Sequence, residues 1–88
     1  MIELFYNEKS LSRKIFINPD DENINNMIEY IKKKTGVYID PYSDTKLYPS
    51  HQELIISFLV NHSNAYVDLI NFLKEAIELD TIVYCIGD

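Results

Sequence analysis

Two histidines, one cysteine and fourteen carboxylates are the side chains of this sequence with the strongest claim to chemistry. On one continuous helix His51 and His62 would stand about 16 Å apart, too far to share a metal. Neither has a Cys or Asp neighbour at ligand spacing. Asp40 and Asp44 invite a calcium reading. An EF-hand loop opening at Asp40 needs an oxygen ligand at its third position, glycine at its sixth and glutamate at its twelfth. Tyr42, Thr45 and His51 stand there instead, so the pattern fails. Cys85 falls in an apolar run and reads as a small core residue. As the lone cysteine it forms no intramolecular disulfide. Gly36 and Gly87 are isolated, so no glycine-rich loop is present to cradle a phosphate. A pair of carboxylates meeting in space is the one catalytic arrangement left open. No enzyme activity, metal or cofactor is expected.

The elements that would position these residues follow from periodicity. Ile2–Tyr6 and Leu11–Ile17 are rich in β-branched and aromatic residues, with turn chemistry at Asn7-Glu8-Lys9-Ser10 between them, which predicts a hairpin. Ile15 and Ile17 share one face and Phe16 takes the other, so one face packs on helices and the second is expected to be partly covered. A helix is expected from Asn18 as N-cap and Pro19 as first residue, with Asp20, Asp21 and Glu22 at the positive end of its dipole. Ile24, Met27, Ile28 and Ile31 form its apolar stripe. Lys32, Lys33 and Lys34 suit its last turn, and Gly36 ends it.

Residues 50–79 hold the densest apolar population. Ser50 and Glu53 match a capping box. Leu54, Ile55, Phe58 and Leu59 follow at helical spacing. After the polar break Asn61-His62-Ser63-Asn64, in which Ser63 or Asn64 would cap a second helix, Tyr66, Ile70, Leu73 and Ile77 continue the pattern. Asp80-Thr81 closes this segment, and Ile82–Ile86 reads as a last strand carrying Cys85. The expected fold is a single α+β domain spanning 1–88. It has two layers: a mainly antiparallel sheet from the N-terminal hairpin and the C-terminal strand, packed against three helices. Leu59, Ile70 and Leu73 are expected in its core.

The stretch 36–49 is the least regular and the most distinctive. It holds three tyrosines, two aspartates and two prolines. Val37–Ile39 reads as a strand, Asp40–Asp44 as a turn, and Lys46–Tyr48 as a returning strand. Tyrosine in a polar loop is a favoured interface anchor, offering rigid area with a polar tip. Charge is uneven along the chain. Residues 1–47 carry eight acids and seven bases, whereas residues 48–88 carry six acids and one base, Lys74. Glu75, Glu78 and Asp80 crowd the end of the last helix, where the dipole disfavours them. Placement against local preference fits two readings, an ordinary solvated helix face, which has the larger prior, and a selected negative surface. The candidate partner-binding residues are Asp40, Tyr42, Asp44, Tyr48, Glu75 and Glu78.

The net charge of −6 argues against direct binding to nucleic acid, since no counterions would be released. No apolar run reaches the roughly 18–20 residues of a membrane span. No signal peptide is expected, because residues 1–4 show no basic region followed by an apolar run, and the expected location is the cytoplasm. The segment Gly36-Val37-Tyr38-Ile39-Asp40-Pro41-Tyr42 through Tyr48-Pro49-Ser50-His51, on a small acidic α+β chain, resembles the immunity proteins of bacterial toxin systems, including those of contact-dependent growth inhibition. The resemblance implies binding to one cognate basic toxin, often a nuclease, with its active site or substrate path covered. Two other classes fit the sequence. One is a phage-type acidic inhibitor that mimics nucleic acid. The other is a small adaptor whose apolar helix face completes a partner's core.

Overall fold

The computed structural model describes residues 1–8, 10–62 and 64–87. It brings the two ends of the chain together in one four-stranded antiparallel sheet. Strands β1 (Ile2–Glu8) and β2 (Leu11–Ile17) form the hairpin, paired from Ile2↔Ile17 to Glu8↔Leu11. Lys9, in the expected turn, lies outside the described residues. Helix α1 (Glu22–Thr35), strand β3 (Asp44–Leu47), helices α2 (Pro49–Leu59) and α3 (Val67–Glu78), and strand β4 (Val83–Ile86) complete the chain. Strand order is β2-β1-β4-β3. The C-terminal strand thus joins the hairpin in one sheet, as expected; the structure places it beside β1 in the centre and adds β3 as the second edge.

Alternation along the strands sorts the side chains. Ile2, Leu4 and Tyr6 of β1, Ile17 of β2, Leu47 of β3 and Val83 and Cys85 of β4 are buried towards the helices. The helices return Ile24, Met27, Ile28 and Ile31 from α1, Ile55 and Leu59 from α2, and Leu69, Phe72, Leu73 and Ala76 from α3. The α1 stripe matches its periodicity residue for residue. On α3 the buried stripe is a neighbouring one. Leu73 is fully buried, but Ile70 and Ile77 are only half-buried and Leu69, Phe72 and Ala76 take the inner positions. Packing of α3 against α2 and the hairpin selects the face that carries Phe72, whose ring lies 5.1 Å from that of Tyr6.

Helix starts differ from the expectation. Asn18-Pro19-Asp20-Asp21 is a turn, not a first helical turn. Asp21 N–H donates to Asn18 O at 3.1 Å, and Asn18 Oδ1 accepts from Asp20 N–H at 2.9 Å, with proline at the second turn position that suits it. Asp21 is the cap. Its Oδ1 accepts from the N–H groups of Asn23 and Ile24 and from the Tyr66 hydroxyl at 2.8 Å. The Tyr66 hydrogen bond, then those from the backbone, hold the pKa of the Asp21 carboxyl below its ordinary value.

Helix α2 begins one residue before the expected cap, with Tyr48 as N-cap and Pro49 as first helical residue. His51, not Glu53, closes the box: its Nδ1 accepts from Tyr48 N–H at 3.1 Å. Ser63 lies outside the described residues. A short 3-10 turn, Asn64–Tyr66, precedes α3, whose N-cap is Tyr66.

Two helix ends match their sequence signals. Gly36 adopts φ +80° and returns its N–H to Lys32 O. After α3, Asp80 adopts φ +52°, with Asp80 N–H on Ile77 O and Thr81 N–H on Ala76 O. That is a Schellman closure with aspartate where glycine is usual.

Candidate functional site

Residues 37–43 cross from α1 to β3 as a loop, without the strand expected at Val37–Ile39. The backbone ladder that β3 needs is supplied by β4, in the register Asp44↔Ile86 to Leu47↔Val83. Tyr38 meets β3 through a side chain only, its carbonyl accepting from Thr45 Oγ1 at 3.0 Å. The loop is pinned at both ends by fully buried apolar residues, Ile39 and Leu47. Between them Asp40 folds the turn from inside. Its Oδ1 accepts from Tyr42 N–H at 2.8 Å and its Oδ2 from the Ser43 hydroxyl at 2.9 Å, the bonding that makes aspartate a turn former.

Gly87 completes the seat. A Cβ there would lie 2.5–2.6 Å from backbone atoms of Asp40 and Pro41, so only glycine lets the loop pass. Gly87 N–H also donates to Ser43 O at 3.2 Å. Beneath the loop, the buried Gln52 donates through Nε2 to Leu47 O at 2.8 Å and to Thr81 O at 2.9 Å. It ties the end of β3 to the α3–β4 connection. Its Oε1 has no hydrogen-bond partner among the described residues.

On this seat Tyr42 is 82% exposed, while Tyr48 and Tyr38 are exposed to about half that extent. Lys32 Nζ lies 4.8 Å over the Tyr38 ring, and the Tyr48 ring meets His51 edge-on at 5.8 Å. The bonds within the turn fix the backbone that carries the Tyr42 ring before any partner arrives, which lowers the backbone part of the entropic cost of binding. Asp40 is used within the turn. Asp44 is exposed on β3 and free of that role, so the loop's outward charge is Asp44.

Glu75 and Glu78 do not join this cluster. Glu75 faces the opposite edge of the sheet: Tyr6 donates its hydroxyl to Glu75 Oε1, and Arg13 Nε of β2 lies 3.2 Å from the same oxygen. Burial, then the bond to Glu75, pushes the Tyr6 phenol up from its ordinary value. Edges β2 and β3 stand three strand spacings apart, about 14 Å. Glu78 is exposed near the end of α3. Cys85 is fully buried, and burial pushes its thiol up to about 12, which suits a packing residue and not a nucleophile. Among the described residues no three His, Cys, Asp or Glu side chains converge on a metal-sized site. Nor is any of their helices long and apolar enough to cross a membrane.

Sequence reasoning passed over Gln52 and Gly87, which hold the loop in place. The signal for Gln52 was present: residues 52, 55 and 59 share one helical face. Gly87 offered none, because its partner lies more than forty residues away. No family model matches this chain, and neither the curated proteins nor the solved structures compared with it gave a match.

Proposed function

We propose that this protein is an immunity-type inhibitor that binds one basic protein toxin through the loop 40–48. The observation that carries the reading is Tyr42, a mostly exposed aromatic ring on a turn whose flanks, Ile39 and Leu47, are fully buried. Such a residue offers what a binding hot spot uses: a large aromatic area on a backbone already held by its own turn. Net charge supports a basic partner, since an acidic chain of −6 steers such a partner over distance. Asp44, beside the tyrosines, supplies the local carboxylate. Tyr42 and Tyr48 form the contact, and the acids set the rate of encounter.

The test is co-expression with a basic toxin domain encoded beside this chain, followed by binding kinetics at two salt concentrations. The chain should protect growth. Tyr42→Ala should weaken binding by roughly 2 kcal/mol or more, mostly through faster dissociation. Raising salt should slow association. Unchanged binding in both Tyr42→Ala and Tyr48→Ala would remove the loop from the interface. Association indifferent to salt would remove the electrostatic part.

A further inference from the structure

The face of the sheet turned away from the helices carries two rows of side chains that are complementary to each other. One row runs across the strands as Lys14, Phe5, Tyr84 and Lys46. The next, two residues along, runs as Phe16, Glu3, Ile86 and Asp44. Phe16 is 52% exposed, Ile86 39% and Tyr84 37%. Phe5 and Tyr84 stack on the two central strands, with ring centroids 5.4 Å apart. Lys14 Nζ lies 6.0 Å from the Phe16 ring centroid. A groove of about 470 Å³ runs between β3 and β4 beside the stack.

We infer that this face is a homodimer interface, on which a second copy of the chain packs sheet to sheet. The occupant follows from charge. The chain as a whole is −6, yet this face carries two lysines and two carboxylates and is balanced. A basic protein gains nothing from it, and a phosphate backbone meets Glu3 and Asp44. A copy fits in one of two aligned ways. With the two-fold axis parallel to the strands, each row lies on itself reversed, and Lys14 meets Lys46. With the axis perpendicular to the strands, each row lies on the other. Lys46 then meets Asp44 of the second copy, Lys14 meets Phe16, Phe5 meets Glu3, which stands diagonally next to Lys14, and Tyr84 meets Ile86. Isologous contacts require this kind of self-complementarity, and aligned sheets pack about 10 Å apart.

Strand spacings and lengths give the face a projected area of roughly 350 Å². That is below the roughly 800 Å² per partner of a standard interface, so the dimer is weak and forms at high concentration. Because β3 lies over β3, both tyrosine loops stand along one side of the sandwich; the dimer takes up Asp44 in its own contact and presents Tyr42 and Tyr48 twice, so it is bivalent towards their ligand through the rings alone.

Sedimentation velocity from about 10 µM to about 1 mM spans the range over which a weak dimer fills. The wild-type chain should pass from monomer to dimer across it. Lys46→Asp alone and Asp44→Lys alone each set like charges opposite one another, and each should weaken association at least about tenfold. Mixed in equal amounts, the two variants should pair with each other, because each supplies the charge the other lacks. Tyr42→Ala, which alters the loop and not this face, should dimerise as wild type does. A wild-type chain that stays monomeric throughout, or a mixture that associates no better than its components, overturns the proposal. So does a dimer lost in Tyr42→Ala, which would place the contact at the loop. Partner binding that fails while the dimer persists removes the proposed function alone.

Discussion

The two edges of the sheet each join a tyrosine to a carboxylate, and they use the pair in opposite ways. At the β2 edge, Glu75 receives the hydroxyl of Tyr6, and the ring is wholly buried against Phe72. At the β3 edge, Asp40 receives the backbone N–H of Tyr42, and the ring is held out in solvent. In the first case the carboxylate satisfies a polar tip so that an aromatic body can enter the core. In the second it satisfies the backbone so that the side chain need not turn inward. A tyrosine beside an acid therefore does not identify a binding site. Which atom the acid bonds decides whether the tyrosine builds the core or the surface.

Stability measurements sharpen this contrast, and denaturant unfolding reads all of them. The reference is Leu73→Ala in the shared core, which should cost about 2–5 kcal/mol, a large part of the margin of so short a chain. Tyr6→Phe comes next. It keeps the ring and removes a hydroxyl bonded to a charged group, so it should cost about 1.5–3 kcal/mol. A loss like that of a surface change would mean that the Glu75 contact does not hold the β2 edge.

Asp80 gives a smaller effect of opposite sign. It sits at φ +52° at the negative end of α3, where both backbone strain and the helix dipole disfavour it. Asp80→Gly should stabilise the fold by about 0.5–1 kcal/mol. Destabilisation instead would mean that the aspartate makes a contact worth more than the strain. Smallest of all is Tyr42→Ala, which should change stability by less than about 0.5 kcal/mol. A larger loss would make Tyr42 a structural residue like Tyr6 and would end the contrast between the edges.

Local patterns read well wherever one face of one element settles the question. The α1 stripe, the Gly36 stop, the hairpin faces of Ile15, Phe16 and Ile17, and the burial of Cys85 are of this kind. The α+β class followed from them. Helix starts were displaced because competing caps lay within a few residues of each other. Asn18 and Asp21 can both accept from backbone N–H groups, and the Tyr66 hydroxyl, forty-five residues on, favours Asp21. The α3 stripe turned because Tyr66, Ile70 and Ile77 are as apolar as the residues that were buried, and only the neighbouring helix and sheet distinguish them.

The candidate site divides along the same line. Its residue types, a tyrosine-rich polar loop on an acidic chain, were set by the sequence. Their grouping was not. Tertiary structure sent Glu75 to the opposite edge, assigned Asp40 to the turn and left Asp44 outward. It also placed Tyr84 beside Phe5 on the exposed face, across most of the chain length. Period and propensity act over a few residues and fix which side chains share a face of one element. Which faces meet depends on strand order and packing, and these are decided by contacts between residues far apart in the chain.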